Sequence, residues 1–312
     1  MVKKQATIEL LMFGMAIGES MTQLSNSQQD QLLQDPIQFT DELSWGSQTS
    51  LSLTTIASLS RGYQLTDVMN HFQNWYKRRQ FVPENTVQHV DTITKKAMDN
   101  YTKNRDTLAS GVLEDIADSE NILVRMLPVA LYLHHEYGVS FINDETAMLT
   151  LHRIAGLTHN DEGSLVSVGM LSLIISQILD GQGLRDAVEN GLAFGFEYYS
   201  RHKVFESELS AFEELNLPDF ANIPVNHIKL DGRSASTLEA IIWSLLNSNS
   251  YVQAMQNAFL HGHANSIIPT AVSAIAAVFY DDELVLQASQ YLISRKLIVS
   301  VTRQAERLGR FN

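Results

Sequence analysis

Apolar positions recur at helical spacing along most of the chain. One broad apolar face is formed by Leu165, Val168, Leu171, Leu173, Ile175, Ile178 and Leu179. The same spacing returns in 238–246 and in 270–279. Apolar residues three and four positions apart are typical of buried helices, and we find no persuasive run of alternating residues that would indicate a strand. The pattern therefore predicts an all-α protein, folded as a compact orthogonal helical bundle.

Two helix boundaries are indicated by local chemistry. Asp180-Gly181-Gln182-Gly183 is expected to end one helix and open the next, because glycine adopts the left-handed terminal conformation without strain. Ser234 or Ser236 is expected to cap the helix that carries Leu238. Glu239 follows Ser236 by three positions, as in a capping box.

The chain is expected to form one domain over residues 1–312. Its 312 residues are 45% hydrophobic, which suffices for a large core. The segment 202–233 is the least regular, with Pro218, Pro224 and several glutamates. Apolar helices flank it on both sides, so we interpret it as an irregular surface insertion that is more mobile than the rest.

Composition excludes several function classes. The chain has no cysteine, which excludes disulfides, thiolate metal sites and a cysteine nucleophile. A net charge of -13 repels phosphate backbones and anionic lipid, so neither nucleic acid nor a membrane surface is an expected partner. The overall negative charge still allows one small anionic ligand to bind in a local pocket.

The expected location is the cytoplasm. Lys3 and Lys4 precede an apolar stretch, 10–17, but Glu9 and Glu19 border it and no small-residue cleavage site follows. No apolar run reaches the roughly 18 residues of a membrane span. Polar residues interrupt the longest candidate, 166–179.

Four polar clusters are candidates for chemistry. Residues 14–19 combine small side chains with a carboxylate, a pattern that also fits tight helix packing. Residues 44–50 resemble a helix start, whose free N–H groups can hold an anion or be capped internally. Residues 157–161 are a polar cluster between two helices, and a lone histidine of this kind is more often structural. Residues 261–266 carry two histidines that lack the i, i+4 spacing of a helical zinc site.

Taken together and in this order, the clusters resemble motifs of the ADP-ribosylglycohydrolase family over almost the whole chain. The family's G-x-A-I-G-D-A helix corresponds to residues 14–20, its W-T-D-D-T to 45–49, and its W-Y-then-basic stretch with a G-x-F-T-P-like turn to 75–83. Its G-N-G-x-x-M-R-x-x-P corresponds to 119–128 and its L-T-H to 157–159. Its D-T-L-E-A-A-L-W corresponds to 236–243 and its G-G-D-T-D-T to 261–266, and here Ser236 replaces the first Asp and the glycines of 119–128 are also replaced. The resemblance implies the all-α fold of the family. It also implies a cleft built from facing helix ends.

The resemblance also implies a metal site that this sequence has lost. In the family, a Thr-Asp-Asp group and an Asp-x-Asp-Thr group bind two magnesium ions that orient the ribose and a water. Here these groups read Gly46-Ser47-Gln48 and His263-Ala264-Asn265-Ser266, so all four aspartates are replaced. Magnesium is a hard cation that needs carboxylate or phosphate charge. We therefore expect no magnesium cofactor, while the polar pocket persists.

Carried over residue by residue, the resemblance assigns a set of side chains to one cleft. Glu19 is the candidate catalytic residue, as a general base. The expected ligand-binding residues are Trp45, Ser47, Gln48, Thr49, Asn121, His159, His263, Asn265 and Ser266.

Three functional hypotheses follow. The first is a pseudoenzyme whose cleft binds ADP-ribose, a related nucleotide or a protein partner without cleaving it. The second is a divergent hydrolase of N- or O-glycosidic bonds in ADP-ribosylated substrates, acting without magnesium or with another metal held by His261 and His263. The third is a purely structural or regulatory helical protein without such a pocket.

Overall fold

A computed structural model describes residues 6–84, 89–113, 119–262 and 266–311. Within these ranges there are fourteen α-helices, several short 3-10 helices and no strand, apart from two isolated bridges. The all-α prediction is confirmed. The helices are α1 (Thr7–Met21), α2 (Asn26–Gln34), α3 (Ser47–Leu59), α4 (Leu65–Arg78), α5 (Thr92–Asn104), α6 (Asn121–Tyr137), α7 (Glu145–Ala155), α8 (Glu162–Leu179), α9 (Leu184–Ser200), α10 (Ser234–Leu246), α11 (Tyr251–Phe259), α12 (Ile267–Tyr280), α13 (Glu283–Ala288) and α14 (Arg295–Arg307).

The core is organised around three central helices, α1, α8 and α12, which are buried over nearly their whole length. Helix α1 packs along α12, and α8 packs between α6 and α9. Helix α3 lies against both α1 and α6. Because α1, α3, α6 and α12 are neighbours, the end of α1 and the starts of the other three can meet in one place.

Helix α8 is long and apolar enough to cross a membrane by length and composition alone. It has 18 residues with a mean hydropathy of 1.6, and 89% of it is buried inside the fold. We expected no apolar segment to reach the length of a membrane span, and this helix does reach it, although its sequence contains polar residues. They do fit its burial, since Ser167 Oγ lies 2.7 Å from Ser234 Oγ. This is how a core helix of a soluble domain packs.

The predicted boundary at 180–183 is confirmed, and α10 begins at Ser234 as the sequence indicated, but the predicted side-chain cap is wrong. Helix α8 ends at Leu179, and Gly181 adopts the left-handed conformation with φ of 88°. Helix α10 begins at Ser234 without a side-chain cap and without a capping box. Ser236 Oγ instead donates to Asp231 Oδ1, at 2.5 Å. The hydroxyl that was expected to cap the helix thus holds the loop before it.

The segment 202–233 is irregular, as predicted, but it lies on the surface only in part. It forms 3-10 helices at Glu206–Asn216, Phe220–Asn222 and Val225–His227. Phe212 and Phe220 are buried in the main core. Burial of such large apolar side chains offsets the entropy of ordering an irregular backbone, which the prolines and glutamates alone did not reveal.

The carboxyl of Glu239, on α10, makes stability depend on pH. Burial, and the nearby Glu214 and Asp231, raise its pKa to about 7, against an ordinary value of 4.5. Between pH 4.5 and 7 the folded state therefore binds a proton that the unfolded state releases. This stabilising contribution is present in acid and is lost as the pH rises through 7.

We expect Glu239→Gln to increase the free energy of unfolding at pH 8 by about 1–2 kcal/mol, since a neutral amide avoids the buried charge. At pH 4.5 the variant and the parent should unfold alike. Urea titrations at both pH values measure the difference, with the exposed Glu206→Gln as the matched control. An effect of equal size at both pH values would contradict the prediction.

Candidate functional site

A close approach between α1 and α12 places two residues of the site. Gly14 and Gly18 both face α12, where a Cβ on Gly18 would lie 2.6 Å from the backbone oxygen of Pro269. No larger residue fits there without a shift of the helices. The tight-packing interpretation of this cluster is confirmed. Glu19 follows directly, and Ser266 is the residue before α12.

The start of α3 meets the carboxylate of Glu19. Helix α3 begins at Ser47, so the predicted helix start is confirmed. Glu19 Oε1 accepts a hydrogen bond from the backbone N–H of Gln48, and Oε2 accepts one from the N–H of Thr49, both at 3.0 Å. Free N–H groups at a helix start are a favourable place for an anion. In this protein the carboxylate of Glu19 occupies the anion position at the start of α3.

Glu19 is almost completely buried, with 6% of its surface exposed. Burial raises the pKa of Glu19, while the hydrogen bonds from Thr49 and Gln48 act in the opposite direction. A raised pKa suits a general base, but a base must also reach its water. Each oxygen already accepts one backbone hydrogen bond, so Glu19 has fewer free lone pairs than a catalytic carboxylate open to solvent.

A chain of side-chain hydrogen bonds joins α3 to α6. Gln48 Nε2 donates to Asn121 Oδ1 at 3.1 Å, and Asn121 Nδ2 donates to Ser119 Oγ at 2.9 Å. The bond to Ser119 fixes the orientation of the Asn121 amide. Gln48 Oε1 is consequently turned away from it, and this buried oxygen has no hydrogen-bond partner in the described part of the chain.

These elements enclose a polar cavity of about 210 Å³ at the meeting point of α1, α3, α5, α6 and α12. Five of the predicted site residues line it, although they come from distant parts of the sequence. His263 and Asn265 lie outside the described residues. The lining consists of Glu19, Thr22, Gln23, Gly46, Ser47, Gln48, His89, Asp91, Asn121 and Ser266.

Comparison with known proteins identifies the family of this chain. The family model described as ADP-ribosylglycohydrolase matches residues 6–288, which is most of the chain. The chain belongs to the ADP-ribosylglycohydrolase family. No curated protein matches its sequence.

A solved structure shares the fold. It is described as an "ADP-ribosylglycohydrolase-related protein complex", and it superposes with a TM-score of 0.67 at 17% sequence identity. The match covers 99% of this chain and 100% of that one. At this identity the likeness concerns the fold, which is that of an ADP-ribosylglycohydrolase-related protein.

At the family's first metal-binding group, the described residues do not fit the charged donor set that two magnesium ions need. The described residues at the family's first metal-binding group offer a hydroxyl, from Ser47, and an amide, from Gln48. The amide nitrogen is engaged with Asn121, and the oxygens of Glu19 are engaged with α3. Neutral groups do not supply the charge that offsets dehydration of magnesium. Among the described residues, no three His, Asp or Glu side chains group as metal ligands.

His159 is buried behind the cavity and does not line it, contrary to the position that the family motif implied. Its Nδ1 lies 2.8 Å from Thr158 Oγ1, which in turn accepts a hydrogen bond from Arg125. Burial, together with the Arg125 charge, lowers the pKa of His159 to about 3. A neutral imidazole in this place supports the turn between α7 and α8.

Trp45 and Thr49 also lie behind the cavity wall. Both side chains are fully buried, and neither lines the cavity. Trp45 packs in the main core, next to the start of α3. Neither side chain lines the cavity, so Trp45 contributes to the site through packing alone. Thr49 contributes through packing and through its backbone N–H, which donates to Glu19.

Five lining residues were not among the predicted site residues: Thr22, Gln23, Gly46, His89 and Asp91. Asp91 caps α5, since its Oδ1 accepts a hydrogen bond from the N–H of Thr94 at 2.8 Å. The signal was an aspartate directly before a helical segment, which is a strong capping pattern. That pattern predicts a helix start, but it does not predict that the start opens into this cavity.

His261 has a structural environment. Its Nε2 lies 3.1 Å from Ser244 Oγ, and its ring packs edge-on against Trp243 at 5.4 Å between centroids. Burial lowers the pKa of His261 to about 4. The ring therefore belongs to the contact between α10 and α11. Nothing in that contact resembles a metal site within the described ranges.

Proposed function

We propose that this protein binds a ligand in the cavity without hydrolysing it, the ligand being ADP-ribose, a related nucleotide or a protein partner. The proposal rests on the hydrogen bonding of Gln48. It stands where the family pattern has a metal-binding aspartate, and its amide donates to Asn121 inside the wall of the cavity. A position that would hold a metal thus serves the hydrogen-bonded framework.

The persistence of the cavity supports binding over a purely structural role. A polar space of about 210 Å³ remains at the family's site, unfilled by the side chains of the described residues. The similar solved structure is described as a protein complex, which supports a protein partner. A net charge of -13 disfavours nucleic acid and anionic membrane surfaces as partners.

The proposal predicts that the protein neither binds magnesium tightly nor releases ADP-ribose. Isothermal titration of the full chain with magnesium should give no saturable heat at the cavity. Release of ADP-ribose from modified arginine, serine and DNA-base substrates should stay at the level of buffer, with or without added divalent metals. Turnover above buffer would overturn the proposal. It would instead favour the divergent hydrolase, with Glu19 or Asp91 as the base.

A restored variant serves as the positive control. The quadruple change Ser47→Asp, Gln48→Asp, His263→Asp and Asn265→Asp puts four carboxylates back at the family positions. It should recover magnesium binding more than any single change, because ligands to shared ions are not additive. The uncharged pair Ser47→Asn and His263→Asn, made in parallel, separates the effect of charge from that of altered packing.

A further inference from the structure

Another cavity lies between α9 and the irregular segment 202–233, and we call it the α9 groove. It has a volume of about 350 Å³ and shares no lining residue with the polar cavity. Most of its lining is apolar, and the wall is formed by Val188, Leu192, Leu215, Leu217, Phe220 and Leu246. Small-molecule sites are typically apolar clefts of roughly 300–1,000 Å³ with a few polar groups. The α9 groove has this size and this kind of lining.

Two side chains of α10 hold the irregular segment in place beside the α9 groove. Asn247 Nδ2 donates to the carbonyl oxygen of Ala221 at 2.9 Å, and Trp243 Nε1 donates to that of Ile223 at 2.7 Å. Ala221 itself lines the groove. Leu217, another lining residue, is 52% exposed. The wall is therefore formed before a ligand enters, and a ligand that covers Leu217 removes apolar surface from water.

Two opposite charges line the α9 groove, one helical turn apart. Arg185 and Glu189, both on α9, are the charged residues of its described lining, and the third polar residue, Asn216, is neutral. Neither charged side chain forms an ion pair or a hydrogen bond with another described residue. An arginine that precedes a glutamate by four positions is the less favourable order for an ion pair along a helix. Both charges are therefore open to a ligand, and together they sum to zero.

We propose that the α9 groove binds a free apolar α-amino acid. The α-carboxylate accepts hydrogen bonds from Arg185, the α-ammonium donates to Glu189, and the side chain contacts the apolar wall. Both charged groups of an amino acid are bonded to one carbon, and residues one turn apart have Cβ atoms about 5–6 Å from each other, so one ligand reaches both. A fatty acid would be repelled by Glu189, and a simple amine by Arg185. The inference is independent of the proposed function, because the two sites share no residue.

The experiment titrates the full chain with L-leucine and its analogues by isothermal titration calorimetry at pH 7. Leucine should bind with a dissociation constant below about 1 mM. Leucine amide lacks the carboxylate, N-acetylleucine lacks the ammonium, and alanine lacks most of the apolar side chain. Each should bind about fivefold more weakly or worse, which is the size of effect that one exposed charge pair gives.

Two variants assign the charged groups of the ligand to their partners. Arg185→Gln should weaken leucine binding about fivefold and leave leucine amide unchanged, because the amide has no carboxylate to lose. Glu189→Gln should weaken leucine binding equally and leave N-acetylleucine unchanged. Both side chains are exposed, so the fold should remain intact. Arg201→Gln and Glu197→Gln, exposed on the same helix but outside the groove, are the matched controls.

Three results would overturn the inference. The first is the absence of saturable binding by leucine up to about 10 mM. The second is leucine binding that neither Arg185→Gln nor Glu189→Gln changes. The third is equally tight binding of N-acetylleucine amide, which carries neither charge and resembles a leucine inside a protein chain. That result would assign the α9 groove to a segment of a partner protein instead of a free amino acid.

Discussion

Replacing Arg125 with alanine should lower the free energy of unfolding by about 3–5 kcal/mol, measured by urea denaturation at pH 7. Arg125, on α6, is 1% exposed, and its guanidinium reaches the carboxyl end of α7. Its guanidinium donates to the carbonyl oxygens of Ile154 and Ala155 and to the hydroxyl of Thr158. A cation suits the negative end of the helix dipole. Truncation would leave these acceptors without their donor and would open a cavity in the core.

Two further variants separate the causes of that loss. Burial lowers the pKa of Arg125 to about 9, so its charge is costly in the folded state. Arg125→Met fills most of the volume without charge or donors, and should lose less than the alanine variant while remaining below the parent. If the methionine variant matches the parent, the polar contacts contribute nothing. Arg185→Ala, at an exposed position on α9, should change stability by less than about 0.5 kcal/mol.

The second large effect is expected from Gly18→Ala, with a loss of about 2 kcal/mol in the free energy of unfolding. The added Cβ would lie 2.6 Å from the backbone oxygen of Pro269 and 2.6 Å from Ser273 Cβ. Backbone atoms cannot turn aside, so α1 and α12 must move apart. Alanine gains about 0.5–1 kcal/mol in helix propensity, which offsets only part of this strain. Adding Gly14→Ala should increase the loss, because the same helix pair closes over both positions.

Gly183→Ala provides the matched control for the glycine variants. A Cβ at Gly183 would meet only Asp186 Oδ2, at 3.8 Å, and the residue has an ordinary φ of -60°. Its effect on stability should stay within about 1 kcal/mol, which includes the poorer capping by alanine. The displacement of α1 in Gly18→Ala should also reduce binding in the cavity, since Glu19 is the next residue. Equal unfolding midpoints for Gly18→Ala and Gly183→Ala would contradict the close-packing argument.

The sequence alone determined the helical nature of the chain and several helix ends. Apolar spacing within 165–179 acts over neighbouring turns, and the same turns form the buried face of α8. The start of α3 at Ser47 and the end of α8 before Gly181 also depend on residues within one turn. Such features are local, so a local pattern is enough to predict them. The capping box predicted at Ser236 does not form, because the Ser236 hydroxyl donates to Asp231 instead. A sequence pattern does not show which of two possible hydrogen-bond partners a hydroxyl takes.

Five of the residues that the motifs predicted line one cavity. Only the tertiary structure decided what each side chain does there. Glu19 meets the start of α3 across 29 residues of sequence, and Gln48 meets Asn121 across 73. His159 turns into the core because Arg125 and Thr158 provide its surroundings, whereas Asp91 reaches the cavity from the start of α5. Hydrogen bonds and burial depend on groups that the fold brings together. Residue type and order in the sequence do not specify those distances.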